Sequence, residues 1–158
     1  MIENYLKILE DSLKKKSKVL DEIISYNQEQ ETLLKQESVS LDELDANMSL
    51  KDELIQKLVK LDEGFENLYE KIREQLLANK ALYAEQISRL QKLISEVTEK
   101  SVSIQAQETR NKKLIEVYFT NEKSQLRQGR QVSKAAYGYY KSMNNMNVVP
   151  PQIMDQKK

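Results

Sequence analysis

The 158-residue chain contains no cysteine and no histidine. Without cysteine there is no disulfide, no thiolate nucleophile and no cysteine-ligated zinc site. Without histidine, the side chain that most often serves as general base and metal ligand is missing. The three glycines, Gly64, Gly129 and Gly138, are isolated, so no glycine-rich phosphate loop can form. Carboxylates are plentiful, but on a chain with 32% charged residues most are solvated partners of lysines one turn away. Di-metal sites in helical bundles draw on Glu-x-x-His, which this chain cannot supply. No catalytic residue, metal ligand or cofactor is therefore assigned, and the chain reads as a non-enzyme. No apolar run approaches the ~20 residues of a membrane span. The opening "MIENYLKILEDSLKKK" has early acids and no continuous apolar core, unlike a signal peptide. Basic and acidic residues balance at 25 each, so no overall nucleic-acid footprint is implied. The expectation is a cytoplasmic protein with no membrane insertion and no nucleic-acid partner.

What the chain does have is the composition of long helices: many Lys, Glu, Gln and Leu, and no Gly or Pro before Gly64. Ile2, Leu6, Leu9, Leu13, Lys16, Leu20, Ile23, Asn27, Gln30 and Leu34 recur at alternating steps of four and three, which is a coiled-coil seam. Tyr5, Ile8, Val19, Ile24 and Leu33 widen the stripe, as contact with two neighbouring helices requires. At "SVSLDEL" the first helix stops and a second begins. Ser40 and Glu43 fit a capping box, Val39 and Leu44 a hydrophobic staple, and Asp42 and Glu43 suit the positive end of the helix dipole. Leu54, Leu58, Leu61, Phe65, Leu68 and Ile72 continue the rhythm across Gly64. Tyr83, Ile87, Leu90, Ile94, Val97, Ser101, Ile104, Ile115 and Tyr118 form a third stripe, shifted in phase.

The phase shift and Asn79 predict a turn near residues 78–80. The competing readings are a break at Gly64 or one helix with a stutter. Matching of antiparallel lengths favours Asn79. The predicted fold class is all-α, an antiparallel three-helix bundle with helices at about 2–36, 40–78 and 80–127, forming a domain over 1–128. On these bounds the third helix outruns its partners by roughly ten residues, about 15 Å. The overhang starts near Tyr118 and Phe119. Asn27, Gln30, Asn47, Glu108 and Asn111 would lie at similar heights near the first turn, a polar layer that fixes register and lowers local stability.

Residues 129–158 read as a basic, Tyr-rich tail, partly helical and then disordered. From Lys123 to Met154 there are five basic residues and no acid. "AAYGYYKSM" brings Tyr137, Tyr139 and Tyr140 together, and Val132, Ala135, Ala136 and Met143 complete a weak amphipathic face.

The stretch "SIQAQETRNKKLI" late on the third helix, followed by "AAYG", resembles the FlgN family of flagellar export chaperones, as does the N-terminal "YLKILEDSLKKKSKVLDEI". The residues that carry the likeness are Asn111, Leu114, Ile115 and the Tyr137–Gly138 pair, and the tail after Tyr140 departs from it. The resemblance implies a helical chaperone that binds the terminal helix of a flagellar junction protein and passes it to an export gate protein. On this chain the implied client face is Leu114, Ile115, Tyr118, Phe119 and Leu126. The implied gate tyrosine is Tyr137, which precedes Gly138; Tyr139 and Tyr140 leave that assignment open. A structural coiled-coil adaptor or a homo-oligomer such as a homodimer, without a client, is the alternative. Tyr118 and Phe119 also have two readings: an exposed binding face, or a cap packed under the first turn.

Overall fold

In a computed structural model, residues 1–121 are described. They form three long helices: α1 over Ile2–Leu34, α2 over Leu41–Ala78 and α3 over Ala84–Asn121. The architecture is all-α, a bundle in which α1 is the shared partner. Both α2 and α3 pack along α1 and approach each other far less closely. Chain order places α2 antiparallel to α1 and α3 parallel to it. Cross-links at similar sequence offsets, 79 to 84 residues, fix that arrangement. Ser17 accepts from Lys100 Nζ at 2.7 Å, Arg89 pairs with Glu10 at 3.4 Å, and the Asn111 amide donates to Asn27 O at 2.9 Å.

The four–three seam of α1 is the spine of the core. Leu6, Leu9, Leu13, Lys16, Leu20, Ile23, Asn27, Gln30 and Leu34 are all buried, and Val19 and Leu33 are buried beside them. Ending α1 needs no glycine: Lys35 stays in the right-handed region and its N–H donates to Glu31 O. The restart of the chain is local chemistry. The Ser40 hydroxyl accepts from the Glu43 N–H at 3.3 Å, and Val39 packs against the apolar cluster that contains Leu44.

Two features of α2 and α3 differ from the sequence expectation. The α2 stripe drawn through Leu54, Leu61 and Leu68 lies at the flank, where those leucines are half-buried against the core. The buried seam is Leu44, Met48, Lys51, Ile55, Leu58, Phe65, Tyr69, Ile72 and Leu76. Its regular spacing puts Asp62, between Leu58 and Phe65, opposite the buried Lys16, and the two pair at 2.7 Å. Burial raises the Asp62 carboxyl above its ordinary range, against the pull of that ammonium. Gly64 sits inside α2, and the second turn falls at 79–83, closed by Asn79 O accepting from Leu82 N at 3.0 Å and Tyr83 N at 3.3 Å. Because those residues are spent on the turn, α3 starts at Ala84 rather than near residue 80. Its described length of 38 residues equals that of α2.

Two substitutions check this frame. Ser40→Ala is expected to lower stability by about 0.5–2 kcal/mol through loss of the cap. Gly64 is exposed within α2, and an added Cβ would meet nothing within 4 Å. Gly64→Ala should therefore raise stability by about 1 kcal/mol. Urea denaturation reads both, and a lowered midpoint for Gly64→Ala would mean that α2 is not regular there.

Candidate functional site

At the first-turn end of the bundle, α3 runs past the point where α1 stops. Leu34 and the turn residues Gln36, Glu37, Ser38 and Val39 form one wall of a cleft of about 350 Å³. Leu114, Val117, Tyr118 and Asn121 of α3 form the other. An α-helix with its side chains is about 10–12 Å across, so the cleft receives a few side chains of an incoming segment rather than the segment itself. Val117 is 57% exposed at its rim, an apolar side chain presented to solvent. The Tyr118 and Phe119 rings lie 5.6 Å apart, tilted by 50°.

The five residues proposed from sequence for one face are separated by this geometry. Leu114 and Tyr118 line the cleft. Phe119 is half-buried and, like them, packs against the core cluster. Ile115 is fully buried, a core residue behind Leu114, Tyr118 and Phe119. Of the expected overhang, residues 122–127 lie outside the described residues. Tyr118 is level with the first turn, whose residues face it across the cleft, and Phe119 packs against the core cluster. Leu126, Tyr137, Tyr139 and Tyr140 lie outside the described residues, as does the tail 129–158.

Beneath the cleft lies a layer of buried polar side chains from all three helices. Lys51 is fully buried, and its Nζ stands 3.1 Å from Glu108 Oε1 and 3.0 Å from Oε2. The same ammonium donates to Gln30 Oε1 at 3.4 Å. Gln30 Nε2 donates to Asn47 Oδ1 at 3.0 Å, and Asn47 Nδ2 donates to Tyr26 O at 3.0 Å and to Glu29 Oε1 at 2.9 Å. On the α3 side, Asn27 Nδ2 donates to Gln107 Oε1 at 3.0 Å, and Gln107 Nε2 donates to Ile24 O at 3.4 Å. Asn27 Oδ1 is buried with no partner among the described residues. Burial pushes the Lys51 ammonium down to about 8, against the attraction of Glu108. The Glu108 carboxyl is pushed up for the same reason. Both groups are thus driven toward neutrality by desolvation and held ionised by each other.

The polar layer itself was foreshadowed by Asn27, Gln30, Asn47, Glu108 and Asn111, which are all buried. Lys51 was missed. Its signal was the spacing from Leu44 and Met48, masked by a charged residue type. Val117 was missed because it lies off the seam. The chemistry this arrangement supports is recognition and register: the only ionised pair of the layer is sealed in the core, and the apolar side chains of the cleft are accessible.

The family model described as FlgN protein matches residues 1–145, which takes in all three helices and continues beyond the described residues. No curated protein and no solved structure gives a match. No helix of the described residues is long and apolar enough to cross a membrane.

Removing one partner of the buried pair strands the other. Lys51→Met is expected to cost about 3–5 kcal/mol, and adding Glu108→Leu should recover most of it, since a well-packed apolar pair of similar volume is neutral or better. Between about pH 8 and 10.5 the unfolded chain keeps the Lys51 proton that the folded chain has released. The contribution of this site to stability therefore rises with pH across that window. Chemical denaturation of the native chain and the double variant at pH 7.5 and 10 reads the difference, and a flat or falling difference would contradict the assignment.

Proposed function

The chain belongs to the FlgN family, and from that premise we propose that it binds the terminal helix of a hook–filament junction-type export substrate and delivers it to the type III export gate. Membership itself carries the general role, a flagellar export chaperone rather than an enzyme. The finer reading places the work in the cytoplasm, before export. The client helix docks along the end of α3, setting apolar side chains into the cleft beside Leu114, Val117 and Tyr118, with Phe119 and Leu126 extending the face. Tyr137, with Tyr139 and Tyr140 beside it, then contacts the gate protein.

The observation that carries this reading is the cleft itself, with Val117 exposed at its rim and Leu114 and Tyr118 in its wall. Burying a large apolar side chain is worth ~1.5–3 kcal/mol. A few such contacts, less the loss of freedom on association, give a reversible complex rather than a permanent subunit. Reversibility suits a carrier that must release its load.

Titration calorimetry with a junction-protein C-terminal peptide tests it. Val117→Asp is expected to weaken binding at least about tenfold, the loss of roughly one buried apolar contact, without changing the melting temperature by more than a surface substitution does. Deleting residues 129–158 should leave the bundle folded and weaken client or gate binding. Full-strength binding by both variants would move the site elsewhere. A chain that binds no peptide and runs as a higher oligomer in light scattering would favour the structural adaptor.

A further inference from the structure

The buried side chains divide unevenly along the bundle. Toward the second turn, nine hydrophobic side chains form one uninterrupted cluster, from Leu6 and Leu9 through Tyr69 and Ile72 to Leu90 and Ile94. Toward the first turn the core is crossed by the Lys51–Glu108 layer. Beyond that layer the fully covered apolar contacts of α3 reduce to Ile115, flanked by the half-buried Leu114, Tyr118 and Phe119. The backbone of α3 approaches α1 far more closely than α2 along the bundle, and a direct side-chain link from α2 to α3 at this end is the Lys51–Glu108 pair.

We propose that the Lys51–Glu108 layer is a breakpoint at which α3, from Glu108 onward, separates from α1 and α2 while the rest of the bundle stays folded, and that this opening controls access to Ile115, behind the cleft. The inference rests on the reading of the α3 end as the client face and supplies its regulation.

The physical case has three parts. Polar groups that leave the layer regain water, so breaking their hydrogen bonds costs far less than exposing an apolar layer of equal area. The Lys51–Glu108 pair is desolvated on both sides, which removes much of what the attraction contributes. Asn27 Oδ1 has no partner in the closed state and gains one on opening. Openings that expose a small apolar area precede global unfolding in proteins generally. Here the small-area boundary is drawn at the polar layer, not at an arbitrary turn of α3. Ile115, at zero exposure, can touch a client only in the open form. For a client that engages Ile115 as well as the cleft, the apparent affinity of that fuller contact is the intrinsic affinity reduced by the open fraction. A polar layer at this height sets that fraction.

The absence of native cysteine makes the test direct. Ile115→Cys and Ile94→Cys each place a single thiol at a position with at most 1% exposure, one on either side of the layer. Thiol labelling under native conditions, each rate normalised to that variant in denaturant, should be at least about tenfold faster for Ile115→Cys. In the background Lys51→Met with Glu108→Leu, the gap should close to about twofold, because the layer then resists wetting like the rest of the core. Fraying of the α3 end alone would leave the gap unchanged in that background, and that result overturns the breakpoint. Equal labelling in the native background overturns it as well. Hydrogen exchange of the unsubstituted chain, comparing amides of 109–115 with those of 88–94, guards against a local effect of the cysteines. A gap there that the double variant removes supports the breakpoint, and no gap rejects it. The client reading is separable. If the layer governs labelling but no junction-protein peptide binds, the breakpoint stands and the client assignment falls.

Discussion

Both α2 and α3 are held through one helix, so α1 must present buried side chains in two directions from a single stripe. That requirement explains its composition. The seam residues at alternating steps of four and three meet both neighbours: Lys16 and Gln30 pair with Asp62 and Asn47 of α2, while Asn27, with Ser17 and Asp21 beside the seam, pairs with Gln107 and Lys100 of α3. A strict two-residue seam serves one partner; the widened stripe serves two. The contacts of α2 and α3 follow from it, including the offset that places Glu10 near Arg89 and Asn27 near Asn111.

A bundle of repetitive seams has a register problem. Sliding α3 by seven residues along α1 would exchange Leu, Ile and Val for one another with little penalty. The polar positions remove that freedom. A slip of one heptad would take Glu108 from Lys51, Gln107 and Asn111 from Asn27, and Lys100 from Ser17 and Asp21, and would bury unpaired groups in their place. The same holds for α2 through Lys16–Asp62 and Gln30–Asn47. These contacts add little net stability and much specificity, the best-attested use of polar residues at seam positions. Exposed pairs such as Lys7–Asp11 contribute to neither.

The parts of this architecture that were legible in the sequence are those set by local period and local chemistry. The α1 seam could be read residue by residue from Leu6 to Leu34, including its buried Lys16, Asn27 and Gln30, because its four–three step is unbroken, whereas Ile8, read as widening the stripe, is 52% exposed. The Ser40 cap could be read because its partners are three residues away. In α2 the leucines at 54, 61 and 68 repeat every seven residues and lie one position from the true seam. Residue type pointed to the flank, while spacing pointed to Lys51 and Asp62. The cleft was not legible at all. Its existence depends on how many residues the second turn uses, since four more in that turn bring Tyr118 level with Val39 and Leu34 instead of beyond them. Turn length is set here by backbone hydrogen bonds from Leu82 and Tyr83 to Asn79 O, which no periodicity of side chains reports.

One wall of the cleft is helix and the other is a connecting turn, and the two walls are free to change on different terms. Leu114 and Tyr118 of the α3 wall also answer to the packing of the bundle, so they vary only as far as the core allows. Gln36, Glu37 and Ser38 are exposed and answer to nothing but the span between Leu34 and Ser40. Loops of this kind gain and lose residues at small entropic cost. The outline of the cleft can therefore drift through insertions and replacements in that turn, while seams, layers and register stay fixed. A helical rod can in this way be refitted to a new partner by editing three or four residues that contribute almost nothing to holding it together.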